Sequence, residues 1–190
     1  MAMTDEAFIK TILQKGKEAK DKVRLAFSGI SSVQLNWKPS AESWSIAQCL
    51  DHLIVADGVY FSDLKKITER TYKMTFLEKY SPFSRICGRI LKNRLQEQIG
   101  KKMTAPKKIQ PSASEMKIEV IESYHKNLDT FLAYVSNCQN IDIDKTIITS
   151  PLISIVTYCL RDALYFLIQH EHRHINQAIR VQSNENFPKK

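Results

Sequence analysis

The feature that most constrains this chain is the helical spacing of its apolar residues, which recur every three or four positions through four long segments. Such a pattern predicts amphipathic helices, each with an apolar stripe that has to be buried against another element. Prolines and other turn-forming residues are concentrated between these segments. The sequence therefore predicts an all-α fold built around one hydrophobic core.

Residues typical of helix ends indicate where these helices begin and stop. Ser45 followed by Gln48, and Ser112 followed by Glu115, both have the form of a capping box at a helix start. Gly29 fits a helix stop. The four predicted helices cover about residues 4–28, 44–64, 112–137 and 157–182, and the β-branched run at 147–153 is predicted to be an extended connection.

A long connection separates the second predicted helix from the third. Pro82 can open a short helix through about Gln98, after which Gly100 and Pro106 predict a loop. Long crossovers of this kind join parallel neighbours in some four-helix bundles.

The formal charge of +8 lies entirely in residues 65–108, which hold 13 Lys and Arg against three Glu. Clustered bases attract anions, and a contact with an anionic small molecule or peptide stays open. No interleaved aromatic pattern or helix-turn-helix signature accompanies them, which disfavours nucleic-acid binding. We interpret the segment as a solvated basic surface.

At 190 residues the chain is long enough for one stable core without disulfides. We predict a single domain over residues 1–182 and a flexible tail over 183–190. The longest charge-free run has 15 residues, too few for a membrane span, and the N-terminus has no secretory pattern. The four cysteines are dispersed without a CxxC pair, so we expect a cytoplasmic protein whose thiols are free and buried.

Three of the five histidines lie in one pentapeptide, His170-Glu171-His172-Arg173-His174. On a helix, His170 and His174 project from one face with Cβ atoms about 5 to 6 Å apart, close enough to share a divalent metal. Both interrupt an apolar stripe, where unpaired imidazoles would be costly. The alternative to a metal site is that both histidines belong to a hydrogen-bonded network in the core. His172 is rotated by about 200° from His170 and is expected at the surface or at a helix contact.

A third metal ligand has to come from another segment, and His52 is the best candidate because it lies near the buried edge of the second helix. His125 is the fallback, although a place at the surface or on a helix flank is expected for it. Three neutral imidazoles leave a coordination position open, as in catalytic metal sites.

The pentapeptide also fits the metalloprotease pattern H-E-x-x-H, in which the glutamate is the general base. No His or Asp follows His174 to act as a downstream ligand, which disfavours a protease. Glu171 is rotated by about 100° from His170, and we expect it to pair with a basic neighbour.

Four blocks of sequence together resemble a known family, the DinB-like metal-binding four-helix bundles. The blocks are Trp37-x-Pro39, Trp44-Ser45-Ile46-Ala47-Gln48-Cys49-Leu50-x-His52-Leu53, Gln110-Pro111 and His170-Glu171-x-x-His174-x-x-Gln177. The resemblance implies a four-helix bundle with a long crossover between helices 2 and 3. It implies a site in which His52, His170 and His174 bind zinc, nickel or iron, with Gln177 beside them.

The resemblance leaves the reaction open, because members of this family are similar to thiol S-transferases, isomerases or metal-dependent hydrolases. The expected function is thiol transfer or hydrolysis on a small-molecule substrate, with a low-molecular-weight thiol as a further cofactor in the first case. A non-catalytic bundle that binds a metal or small ligand is the alternative. A homodimer is expected from the resemblance and from the extra apolar edge that Val55 and Val59 form on the second helix.

Overall fold

The structure, a computed structural model, describes residues 5–82, 84 and 105–189. This part of the chain is mostly helical, with four helices of 18 to 23 residues. The elements in order are α1 (Asp5–Ala26), α2 (Ser32–Asn36), α3 (Ile46–Thr68), α4 (Phe76–Tyr80), a 3-10 turn (Lys107–Ile109), α5 (Val120–Asn137), β1 (Ile147–Thr149), β2 (Thr157–Cys159) and α6 (Leu160–Gln182). Among these helices, none has the length and apolar character that crossing a bilayer requires.

The four long helices bury their apolar stripes against one another. Helix α3 packs on α5 and α6, and α1 packs on the same two helices. The helices α1 and α5 approach closely at Gly16, where an added Cβ would clash with the Leu132 side chain. Almost all of the predicted helix from Pro82 to Gln98 lies outside the described residues, as do residues 83 and 85–104 of the basic segment 65–108.

The capping box predicted at the second long helix is present. The Ser45 hydroxyl accepts the Gln48 N–H, and the Gln48 side chain accepts the Ser45 N–H, so α3 begins at Ile46. Because this start fixes which residues of α3 face the core, it also sets the direction of His52, which is six residues further along the helix. Gly29, the predicted stop after the first helix, has φ 67° in the left-handed region.

The prediction that the third long helix starts at Ser112 is wrong, since α5 begins at Val120. The Ser112 N–H donates to the Asp51 carboxylate, and the Met116 N–H donates to the Asn36 amide oxygen. These side chains, which belong to distant parts of the sequence, satisfy donors that a helix would otherwise engage. The segment before α5 is therefore held to α3 and α2 in a non-helical form.

The prediction that the last helix starts at Thr157 is also wrong by three residues, because Thr157–Cys159 forms a strand. It pairs antiparallel with Ile147–Thr149, so the chain contains a two-stranded ribbon that the all-α prediction did not include. The α6 helix follows β2 directly. Its first two N–H groups donate to the carbonyls of Thr146 and Ile143, which attaches the helix start to the ribbon.

The last residues pack on the short helix α2. Phe187 lies edge-on to Trp37 with ring centroids 5.5 Å apart, and the Gln34 side chain donates to the Pro188 carbonyl. These contacts were not foreseen in the prediction of a flexible tail over 183–190.

The cysteine thiols are free where the structure describes them. Cys49 and Cys138 are buried and Cys159 is half-buried, while Cys87 lies outside the described residues. The expectation of free, mostly buried thiols is confirmed for these three.

Candidate metal centre

Three histidines from two helices meet between α3 and α6. His52 lies near the start of α3, and His170 and His174 lie one turn apart on α6. Their side chains are buried, with 1%, 8% and 9% of each residue exposed. One ring nitrogen from each lies within 4.8 Å of the other two, so the cluster has the size of a metal site. The structure thus brings together the three residues that the sequence selected.

The His52 ring is oriented by a backbone carbonyl. Its Nδ1 lies against the carbonyl oxygen of Ile109, a buried residue of the 3-10 turn. Because a carbonyl only accepts, Nδ1 carries the proton and Nε2 has a free lone pair. Nε2 faces the cluster, 3.1 Å from Nε2 of His170.

The His174 ring is oriented by a side chain of its own helix. Its Nδ1 donates to Oε1 of Gln177 over 2.9 Å, which leaves a lone pair on Nε2. Gln177 was predicted to lie near the site, and the structure places it in contact with the histidine. Hydrogen bonds of this kind fix the tautomer and direction of metal-binding imidazoles.

His170 shows why the cluster fits a cation. Its Nδ1 is buried without a hydrogen-bond partner among the described residues, and its Nε2 points at the lone pair of His52 Nε2. A proton on His170 Nε2 would leave its Nδ1 lone pair unpaired, whereas two lone pairs at 3.1 Å repel unless a cation lies near both. Neutral imidazole nitrogens are ligands that zinc, nickel and iron accept.

Burial keeps these imidazoles unprotonated. It lowers the pKa of His52, lowers that of His170 well below its usual range, and lowers the pKa of His174 to about 3. The Arg173 guanidinium adds to this effect on His170 and His174. At neutral pH all three rings are in the form that binds metals.

Two aromatic side chains form the walls of the site. Trp44 lies against His52 and His174 with ring centroids 4.8 and 5.6 Å away, and Phe166 stacks on His170 at 5.6 Å. Both are half-buried, so they limit the access of water. Sequence reasoning missed Phe166, although its position four residues before His170 on a predicted helix was a usable signal.

The prediction that Glu171 pairs with a basic neighbour is wrong. Glu171 is fully buried, accepts a hydrogen bond from the Tyr124 hydroxyl over 2.7 Å, and lies within hydrogen-bonding reach of the buried Asp57 carboxyl. Burial raises the pKa of both carboxyls. Two carboxylates cannot both be charged there, so a proton is held between them, and Glu171 has no access to act as a general base.

The other two histidines lie outside the cluster. His172 is half-buried, and its Nε2 lies 3.0 Å from the Lys15 carbonyl of α1, which confirms the expected helix contact. His125 is half-buried on α5 beside Tyr124 and does not belong to the three-histidine group. Of the two candidates for the third ligand, only His52 is in place.

Comparison with protein families matches residues 17–178 to the DinB superfamily, a range that includes all three clustered histidines and Gln177. Among curated proteins, the chain is 28% identical over 159 residues to the uncharacterized protein YuaE of Bacillus subtilis (strain 168). That alignment covers 81% of this chain and 86% of YuaE. No solved structure matches the chain significantly.

Proposed function

This chain belongs to the DinB superfamily, and we propose that its three-histidine cluster binds one divalent metal ion for thiol transfer or hydrolysis on a small molecule. The observation that carries the proposal is the meeting of three buried, unprotonated imidazoles, two of them with the second nitrogen held by an oxygen acceptor. The metal we propose is zinc, nickel or iron.

A divalent metal held there would supply a Lewis acid that lowers the pKa of a thiol or water reaching the open position. The chain's own residues position and shield that nucleophile. Ile109 and Gln177 fix the directions of His52 and His174, and Trp44 and Phe166 keep bulk water away from the rings. Because Glu171 is sealed in the core, we assign no proton transfer to it.

We also propose the four-helix bundle topology, with α1, α3, α5 and α6 as its helices and the chain between α3 and α5 as the crossover. The pairwise packing of these helices supports this arrangement. The homodimer is a further proposal. Its support is that Val55 and Val59 on α3 are only half-buried, which leaves apolar surface for a second copy. Light scattering at micromolar concentration tests it, and a strictly monomeric mass would contradict it.

The metal proposal is tested by elemental analysis of untagged protein and of single alanine variants. We expect one divalent ion per chain, lost in His52→Ala and in His174→Ala and kept in His125→Ala, the matched control from α5. Full occupancy in His52→Ala would show that the cluster is not the metal site.

Removal of the metal with a chelator distinguishes a catalytic role of the metal from a structural one. Because a 190-residue chain buries enough core alone, we expect the far-ultraviolet circular dichroism to persist after chelation. Thiol-dependent turnover or hydrolysis should disappear and return with added metal. If chelation unfolds the helices at room temperature, the metal is structural and the non-catalytic alternative is correct.

A further inference from the structure

A second cleft lies at the far end of α3. It is open to solvent, has a volume of about 280 Å³ and is lined by Ile67, Arg70, Tyr72, Met74, Asn140, Ile141 and Thr146. Ile67 is 15 residues beyond His52 on the same helix, which at 1.5 Å per residue puts the cleft roughly 22 Å from the histidine cluster. A ligand in this cleft would not reach the candidate metal centre.

Arg70 occupies an unusual backbone conformation beside the cleft. Helix α3 ends in a Schellman motif, in which the Thr71 N–H donates to the Lys66 carbonyl and the Arg70 N–H donates to the Ile67 carbonyl. The motif puts Arg70 at φ 57°, the only non-glycine residue with positive φ in the described part of the chain. Glycine takes this position at no steric cost, so an arginine here is a strained choice.

The walls of the cleft present both apolar and polar surface, and three of the lining polar side chains are engaged elsewhere. The Tyr72 hydroxyl donates to Glu78, Met74 Sδ accepts the Ile147 N–H, and the Thr146 hydroxyl donates to the Asp142 carbonyl. The cleft is also lined by the apolar parts of four side chains, which are Ile67, Tyr72, Met74 and Ile141.

Two lining side chains have polar ends that are not engaged in this way. Within the described residues, the Arg70 guanidinium and the Asn140 amide form no side-chain hydrogen bond, and Arg70 forms no ion pair. Both residues are exposed, so their polar groups are available at the mouth of the cleft. A planar guanidinium pairs with a carboxylate through two parallel hydrogen bonds.

We propose that this cleft binds a small monocarboxylate with an apolar body, such as a short-chain fatty acid. Arg70 takes the carboxylate, Asn140 donates a further hydrogen bond, and the apolar walls cover the hydrocarbon chain. The volume is below that of a typical pocket for a drug-sized ligand, which limits the body to a short chain or one ring.

The test titrates hexanoate into the full-length protein, followed by amide shifts in NMR spectra, with hexanol as the matched neutral probe. We expect hexanoate to bind with Kd in the millimolar range and hexanol at least about tenfold more weakly. Arg70→Gln should weaken hexanoate binding by about tenfold or more, and Arg70→Lys by less, because a lysine keeps the charge without the bidentate geometry.

Two variants control for folding and for general charge. Arg70→Gly removes the guanidinium while relieving the backbone, so weakened binding there cannot come from unfolding. Lys73→Gln removes the same charge from an exposed residue that does not line the cleft, and should leave Kd unchanged. The proposal is overturned if hexanoate does not bind at about 20 mM, if hexanol binds equally well, or if Arg70→Gln and Arg70→Gly bind hexanoate like the original protein.

Discussion

Replacement of Gln177 by alanine isolates the contribution of one hydrogen bond to metal affinity. Gln177 is half-buried, and its Oε1 is the acceptor for His174 Nδ1 at 2.9 Å. Loss of such a partner typically costs 10- to 100-fold in metal affinity. Because Trp44 still packs on the His174 ring and limits its rotation, we expect the lower end, about tenfold or 1.4 kcal/mol.

Replacement of Gln177 by glutamate tests whether a stronger hydrogen-bond acceptor raises metal affinity. An ionised carboxylate is a stronger acceptor than an amide and makes the imidazole a better ligand. We therefore expect Gln177→Glu to bind the metal more tightly than the original protein. The two variants should depart from it in opposite directions.

Affinity is measured by competition with a chromophoric chelator, using zinc and then nickel. The matched control is Gln182→Ala, since Gln182 lies on the same helix but donates to the Ala26 carbonyl of α1 instead of contacting a histidine. The reasoning is refuted if Gln177→Ala keeps its affinity, or if Gln177→Glu weakens binding, while circular dichroism shows both proteins folded.

Three further predictions concern the core. Burial raises the pKa of Asp57. Above a pH of about 4 the unfolded chain releases this proton, whereas the folded protein keeps it. The free energy of unfolding therefore falls as pH rises. As pH rises above about 4, Asp57→Asn should gain stability relative to the original protein, by up to about 1.4 kcal/mol per pH unit while Asp57 keeps its proton. Urea unfolding at several pH values measures this, and a difference that does not change with pH would contradict it. Gly16→Ala should destabilise the protein by about 1 to 3 kcal/mol through its clash with Leu132, and the added change Leu132→Ala should remove that clash in thermal unfolding. Burial raises the pKa of Cys49 to about 12, so peptide mapping should find it unmodified by iodoacetamide at pH 8, and rapid labelling in folded protein would show the packing to be wrong.

The parts of the molecule that sequence predicted well depend on short-range periodicity. His170 and His174 share a face because they are four residues apart, and the buried residues of α3 follow from the capping box at Ser45. His52 was the harder case, because its neighbours on α6, His170 and His174, are 118 and 122 residues away. Its buried position on α3 and the family resemblance selected it.

The parts that sequence missed depend on contacts between distant segments. The pair Ser112 and Glu115 has the same spacing as a working capping box, yet the Ser112 N–H is taken by Asp51. The partners of Glu171 are Tyr124 and Asp57, which lie on two other helices, and no local sequence pattern predicts them. Side-chain hydrogen bonds that compete with helix formation are set by tertiary structure and have no periodic signal.

A polar group of three buried residues (Asp57, Tyr124 and Glu171) and the half-buried Asn127 connects three helices, since Asn127 donates to Asp57 and Tyr124 to Glu171. Leucine-rich surfaces tolerate sliding, because one apolar side chain replaces another after a shift by one turn. A shift of α3, α5 or α6 would instead move a carboxyl against hydrocarbon, at a cost of several kcal/mol. The group therefore opposes any change in the register of these three helices. We expect it to favour the alignment in which His52 stands opposite His170, so that the geometry of the candidate site depends on contacts within the core.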